Sequence, residues 1–269
     1  MKIGIFDSGV GGLIITHAVI QELPHYDYLF LGDTARVPYG NRSSETVYQF
    51  TRQAVEYLFQ QDCMLVILAC NTASAEALRR LQQEYLPQHY PGRKVLGVLI
   101  PAVEAAVEET RNNHIGVIAT TATVESRAYV AEIRKRRPDV AVFQQATPLL
   151  VPLIESDGLQ WAKPILREYL RPLRKDKIDT LVLGCTHYPA AREQIQQAIG
   201  EGVNLIGQDQ IIPQQVITYL EHHPEVARRL TQNGQRQFEL TDLTASSQKL
   251  ADRLFGNPVA FTHISLTSP

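Results

Sequence analysis

Short runs of Val, Ile and Leu alternate with longer stretches of helical period almost from one end of the chain to the other. The runs at 2–6, 28–31, 64–69, 95–98, 115–119, 140–143, 180–184 and 204–206 predict strands, being short, apolar and rich in branched residues. The stretches at 11–22, 44–60, 72–85, 101–109, 123–135, 158–170, 189–199 and 208–221 carry apolar positions three and four apart and predict helices. This alternation of strand and helix points to parallel sheets with helices on both faces. The unbroken apolar strands fit that layout, since a strand covered on both faces has no polar side. In such folds ligands sit where strands end and helices begin. The tail at 262–269 is polar and is predicted to be loosely held.

A pseudo-repeat is visible in the same pattern. Lys2-Ile3-Gly4-Ile5-Phe6-Asp7-Ser8 resembles His114-Ile115-Gly116-Val117-Ile118-Ala119-Thr120, and Val66-Ile67-Leu68-Ala69-Cys70-Asn71-Thr72 resembles Leu181-Val182-Leu183-Gly184-Cys185-Thr186-His187. General similarity among strand–helix units accounts for the first pair. A cysteine at the same corner of both halves is a more particular coincidence. The chain order predicts one α/β domain from 1–97 with 210–269, holding Cys70, and a second from 98–209, holding Cys185.

Composition narrows the function classes. The 269 residues are 44% hydrophobic and 20% charged, which suits a globular chain and not a disordered one. A formal net charge of -2 gives no electrostatic reason to expect nucleic acid or an anionic membrane as partner. The basic run Arg134-Lys135-Arg136-Arg137 reads as the exposed end of one helix. No apolar run is long enough to span a bilayer. Asp7 interrupts the first apolar stretch, unlike a signal peptide. The three cysteines, Cys63, Cys70 and Cys185, make neither a CxxC pair nor a secretory disulfide framework, so a reducing cytoplasm is the expected compartment.

Four corners can carry chemistry. Asp7-Ser8-Gly9-Val10-Gly11-Gly12 follows a strand and invites a nucleotide reading. Ile14 stands where the dinucleotide fingerprint needs its third glycine, and no lysine completes a P-loop. Asp7 or Ser8 either caps the next helix or faces a ligand. Gly32-Asp33-Thr34-Ala35-Arg36-Val37-Pro38-Tyr39-Gly40 can offer a phenol and a backbone N–H, or be an ordinary turn. The other two corners are Ala69-Cys70-Asn71-Thr72-Ala73-Ser74 and Gly184-Cys185-Thr186-His187-Tyr188-Pro189. Each puts a thiol at the end of a strand just before a helix, where free N–H groups and the helix dipole are expected to lower its pKa. His187 follows Cys185 at a distance suited to holding or relaying a proton. Cys63 has no polar company and reads as core. A zinc site drawn from Asp7, Cys70, Cys185 and His187 is the rival, although their spacing is not that of structural zinc sites.

Taken together and in this order, these four motifs resemble the glutamate racemases of the aspartate/glutamate racemase superfamily, over residues 3 to about 220. The resemblance implies two flavodoxin-like parallel-sheet α/β domains related by a pseudo-two-fold, with the active site between them. It implies interconversion of L- and D-glutamate without a cofactor, by two bases, supplying D-glutamate for peptidoglycan in a homodimeric bacterial enzyme. By motif, Cys70 and Cys185 are then the acid/base pair, assisted by Asp7 and His187. Ser8, Tyr39, Gly40, Asn71, Thr72 and Thr186 hold the substrate, Thr120 and Thr123 match a second threonine motif, and Glu155 matches an acidic site residue. An aspartate racemase generally carries a glutamate in place of His187 and a histidine in place of Ser74, so both positions favour glutamate. A zinc-dependent hydrolase and a catalytically idle binding protein are the alternatives from other classes. Two departures stand out. Gly207-Gln208-Asp209 replaces an acidic Asp-Ser or Asp-Pro turn, which bears on packing of the C-terminal segment, and Pro189-Ala190-Ala191 replaces the usual leucines. Racemisation itself asks for this arrangement, because a proton leaves one face of the α-carbon and another arrives on the opposite face.

Overall fold

The computed structural model describes residues 1–266. Its strands are β1 (Lys2–Asp7), β2 (Tyr28–Gly32), β3 (Cys63–Leu68), β4 (Lys94–Gly97), β5 (His114–Ala119), β6 (Ala141–Ala146), β7 (Thr180–Gly184), β8 (Asn204–Ile206), β9 (Arg236–Leu240) and β10 (Thr262–His263). They form two sheets, ordered β10-β9-β2-β1-β3-β4 and β6-β5-β7-β8. Every pairing is parallel. The second sheet repeats the β2-β1-β3-β4 order of the first, so the molecule contains two parallel-sheet α/β domains of matching topology.

Strand periodicity sorts the core. On one face of the first sheet, Ile3, Ile5, Tyr28, Phe30, Leu65 and Ile67 pack with Leu13, Ile15 and Val19 of the Leu13–Glu22 helix and with Val216 and Leu220 of the Gln208–His222 helix. On the other, Phe6, Leu29, Leu31, Val66 and Leu68 pack with Val47, Val55 and Leu58 of the Ser44–Gln60 helix. Cys63 belongs to this second layer, its sulfur close under Gly4. The second sheet divides likewise. Ile118, Leu181 and Leu183 face Leu166 and Leu170 of the Ala162–Lys175 helix, while Ile115, Val117 and Val182 face Leu99 and Val103 of the Leu99–Glu109 helix. Each such fully buried Leu or Ile contributes roughly 1.5–3 kcal/mol.

Several expectations are corrected. The helix expected at 72–85 is broken into Asn71–Glu76, Leu78–Arg80, a π-turn at Leu81–Tyr85 and Leu86–His89, the last admitting Pro87 in its first turn. The helix expected at 123–135 is two, Thr121–Glu125 and Ala128–Arg136, separated by Arg127 in the left-handed region. Strands β9 and β10 and the Leu150–Glu155 and Ala245–Phe255 helices have no counterpart among the expected elements. The tail expected to be loose pairs as β10 beside β9, while 267–269 lie outside the described residues. Among the described residues no helix is long and apolar enough to cross a membrane.

Candidate active site

All four strand-to-helix corners meet at one cleft of roughly 270 Å³ between the two sheets. Ser8, Tyr39, Gly40, Cys70, Asn71, Thr72, Thr120, Glu155, Cys185, Thr186 and His187 line it. Asp7 and Thr123, also expected at the site, are fully buried immediately behind this lining. A second cavity, lined by Ile67, Leu78, Leu96, Ile100, Val216 and Tyr219 among others, is mostly apolar and holds no thiol.

The β3 corner sets Cys70 at the start of the Asn71–Glu76 helix. Its sulfur accepts the Ala73 N–H at 3.4 Å and its thiol donates to Ser8 Oγ at 3.3 Å. Position at a helix start is expected to lower a thiol pKa, and here it does not. Burial, joined by the nearby charge of Asp7, outweighs the hydrogen bonds with Ser8 and Ala73 and pushes Cys70 up to about 12. The six-residue helix offers too little dipole to reverse this.

The β7 corner is built differently. Cys185 Sγ lies 3.9 Å from His187 Nδ1, and His187 Nε2 lies 3.0 Å from Glu155 Oε1. That second contact is an ion pair without the angle of a hydrogen bond. Burial works against a charge on His187, but pairing with Cys185 and with Glu155 overcomes it and lifts the imidazole to about 10. Glu155 reaches it from the end of the Leu150–Glu155 helix.

The β1 corner ties the two halves together. Asp7 reaches the start of the helix that follows, since its carboxylate interacts with the N–H of Gly12, the residue that opens Leu13–Glu22. One carboxylate oxygen accepts the Gly9 N–H at 3.0 Å, and the other accepts the Thr186 hydroxyl of the β7 corner at 3.3 Å. Burial raises the Asp7 pKa, against the opposing pull of His187, the Gly9 and Gly12 N–H groups and Thr186. Gly11 is needed at this seam. A Cβ there would fall 2.5 Å from the His187 ring and 2.6 Å from Thr186 Oγ1.

Hydroxyls and amides fill the remaining wall. The Thr72, Thr120 and Thr123 hydroxyls lie mutually 3.0, 3.2 and 3.0 Å apart. After β2, Asp33 is fully buried and accepts from Arg36 Nε at 2.6 Å, Tyr39 O–H at 2.5 Å and Thr241 Oγ1 at 2.9 Å. Arg36 thus serves Asp33 and stacks 4.2 Å over the Phe50 ring. The Tyr39 hydroxyl is likewise directed at Asp33, and burial with that carboxylate raises its pKa. Behind Asn71, the Tyr129 hydroxyl donates to Oδ1 at 2.6 Å and Gln208 Nε2 donates to the same oxygen at 3.0 Å.

Asp33, Tyr129 and Gln208 are the polar groups that motif reasoning left without a role. Asp33 stood inside the second corner motif without a part assigned to it, Gln208 within the departure after β8, and Tyr129 carried no signal. Gly207, the neighbour of Gln208, has a local reason too, since the Arg192–Asp209 bridge at 2.8 Å occupies the space a Cβ would need. Ser74 is buried and donates to the Leu68 carbonyl at 2.9 Å, outside the cleft lining. Among the described residues no three His, Cys, Asp or Glu side chains are placed to hold a metal ion, so the zinc ligand set drawn from the sequence is not assembled.

Two matched parallel-sheet α/β units with one cleft between their strand ends define a class, that of two-domain α/β enzymes with the site between the halves. The sequence profile of Asp/Glu/Hydantoin racemase matches residues 12–214. A glutamate racemase of Geobacter metallireducens is 39% identical over 257 residues, 94% of this chain and 92% of the relative. A glutamate racemase isoform of Bacillus anthracis superposes with a TM-score of 0.89 at 33% identity, over 98% of this chain and 97% of that one. A Francisella tularensis glutamate racemase in complex with D-glutamate gives 0.89 at 31%, with the same coverage. The chain belongs to the Asp/Glu/Hydantoin racemase family, alongside these glutamate racemases.

Proposed function

We propose that this chain interconverts L- and D-glutamate with Cys70 and Cys185 as the two acid/base groups. The observation that carries the reading is the presence of both thiols on one cleft, each from the third strand of a matching parallel sheet. A thiol on either wall can reach only one face of an α-carbon held between them. In the L-to-D direction Cys185 takes the α-proton, with the His187 imidazolium stabilising the negative charge on sulfur. Cys70 then delivers its proton to the opposite face, a role that suits a thiol held protonated by burial. In the reverse direction Cys70 is the base and Asp7 the assisting carboxylate. The carbanion needs fixed donors near the α-carboxylate. Ser8, Asn71, Thr72, Thr186 and the backbone N–H of Gly40 are the proposed contacts, with Thr120 and Thr123 bracing Thr72 and with Tyr39 shaping the wall.

The same proposal divides the chain into 1–97 with 210–269 as one domain and 98–209 as the other, supported by the two sheets. It places the enzyme in the cytoplasm, supplying D-glutamate for peptidoglycan. Homodimeric assembly is proposed from the family resemblance, and sedimentation analysis tests it. For the activity, purified protein is mixed with L-glutamate alone and circular dichroism of the solution is followed. The signal should decay to zero, and L-aspartate should keep its signal. A stable L-glutamate signal would overturn the assignment.

A further inference from the structure

Asn71 lines the cleft while only 3% exposed, and its amide is gripped from behind. Tyr129 O–H and Gln208 Nε2 both donate to Oδ1, at 2.6 and 3.0 Å, and Nε2 also donates to the Tyr129 oxygen at 3.2 Å. Both lone pairs of Oδ1 are therefore engaged. The other end of the amide, Nδ2, is buried and has no partner. A buried donor left unpaired is costly, so one in the wall of a cleft marks where a ligand supplies the acceptor. The three residues come from separate places in the chain: the start of the Asn71–Glu76 helix, the Ala128–Arg136 helix, and the first residue of the Gln208–His222 helix. Gln208 is completely buried, an unusual place for a long polar side chain without a purpose.

Taking glutamate as the substrate, as proposed above, we infer that Gln208 is a positioning residue which, with Tyr129, fixes the Asn71 amide so that Nδ2 meets a substrate carboxylate. The two ends of an asparagine amide have nearly the same shape, and only their partners decide which end faces where. A tyrosine hydroxyl both donates and accepts, so Tyr129 alone does not choose. The Gln208 amide has the same two ends, so its Nε2 completes the choice only together with a carboxylate in front of Asn71. With both amides turned over, Oδ1 would oppose a carboxylate, acceptor against acceptor. Binding of a carboxylate and the observed network therefore reinforce one another.

Gln208→Glu tests this with little change in volume. An ionised glutamate only accepts, so it draws Asn71 Nδ2 backward and turns Oδ1 toward the substrate. KM for L- and D-glutamate should rise about tenfold, the loss of a favourable contact and its replacement by an unfavourable one, while kcat stays within about threefold. Lowering the pH protonates the buried carboxyl introduced by the substitution and restores a donor, so the ratio of variant to wild-type KM should narrow toward low pH. A merely structural defect would not follow that titration. Gln208→Met removes donor and acceptor together and leaves Tyr129 on Oδ1, so its KM should lie between wild type and the glutamate variant. Far-ultraviolet dichroism and thermal unfolding check that each variant folds. If Gln208→Glu does not fold, Tyr129→Phe decides, with raised KM at nearly constant kcat expected. An unchanged KM in the folded Gln208→Glu or Tyr129→Phe protein, or a methionine variant worse than the glutamate one, would overturn the inference. Wild-type protein inert toward glutamate would remove the substrate reading and the inference with it. Active wild type with an unmoved variant KM would remove the inference alone.

Discussion

Replacing Glu155 by glutamine should move the titration of His187 and leave the fold intact. The Glu155 side chain is 42% exposed and lies 3.0 Å from Nε2 of an imidazole raised to about 10. Unit charges at that distance attract by about 5 kcal/mol at an effective dielectric constant near 20. Solvent over the exposed part of the carboxylate and salt in the buffer reduce this to about 1–1.5 kcal/mol, or roughly one pH unit. The sign is fixed by charge: losing the carboxylate disfavours imidazolium, so the pKa falls. It falls only part of the way, because pairing with Cys185 remains and still works against burial. The direct assay is nitrogen-detected NMR titration of labelled histidine, reading the His187 ring in wild type and variant. Kinetically, the alkaline limb of kcat/KM for L-glutamate should move down by about the same pH interval. Rates near neutral pH, where His187 is protonated in both proteins, should change far less. Glu155→Asp should fall between them. A His187 titration that stays put or moves upward would show that Glu155 does not hold the imidazole's proton.

Three other outcomes are expected. Cys70→Ala and Cys185→Ala should each reduce racemisation by at least about a thousandfold, as for a group that acts in the chemical step, whereas Cys63→Ala should retain most activity; an active single-thiol variant would contradict the paired roles. In D₂O at low conversion, solvent deuterium should appear in the product enantiomer and hardly at all in unreacted substrate, with mass spectrometry of the separated enantiomers as the readout; rapid exchange into substrate would indicate one shared base. Gly11→Ala should push the His187 ring and Thr186 away from Cys185 and Asp7, lowering kcat about tenfold or more and costing about 1–3 kcal/mol of stability in thermal unfolding; a folded variant with wild-type kcat would contradict the close approach.

Apolar strands buried on both faces are easy to read, and β1 to β8 lie within a residue or two of their expected places, apart from a longer β6. Strand β9, Arg-Gln-Phe-Glu-Leu, sets Arg236 on the same face as Phe238 and Leu240 and Gln237 with Glu239 on the other, so a charge on each face dilutes its alternation below recognition. Strand β10 is two residues long and exists only because β9 is there to pair with it. The Leu150–Glu155 helix is six residues with Pro152 inside it, too short for a period to register. At the cleft, motifs brought in every expected residue, either as lining or directly behind it. What they could not give is how burial competes with a helix terminus. The rule that a cysteine at a helix start has a low pKa fails for Cys70, where loss of water and the Asp7 charge dominate. Tyr129 was illegible for a further reason: nothing near it in sequence says that its hydroxyl crosses to Asn71.

The two halves share a strand order but furnish their thiols differently, Cys70 with a serine hydroxyl and a carboxylate behind it, Cys185 with an imidazole–carboxylate pair. For the proposed reaction this inequality meets a thermodynamic limit. L- and D-glutamate are mirror images with equal free energy in water, so the catalysed equilibrium lies at an equal mixture whatever the protein does. The ratio kcat/KM must therefore be the same for both enantiomers. Unequal half-sites can still give one enantiomer a larger kcat, provided its KM is larger by the same factor. The asymmetry of the cleft can thus decide at which concentrations each direction runs fastest, and never where the reaction stops.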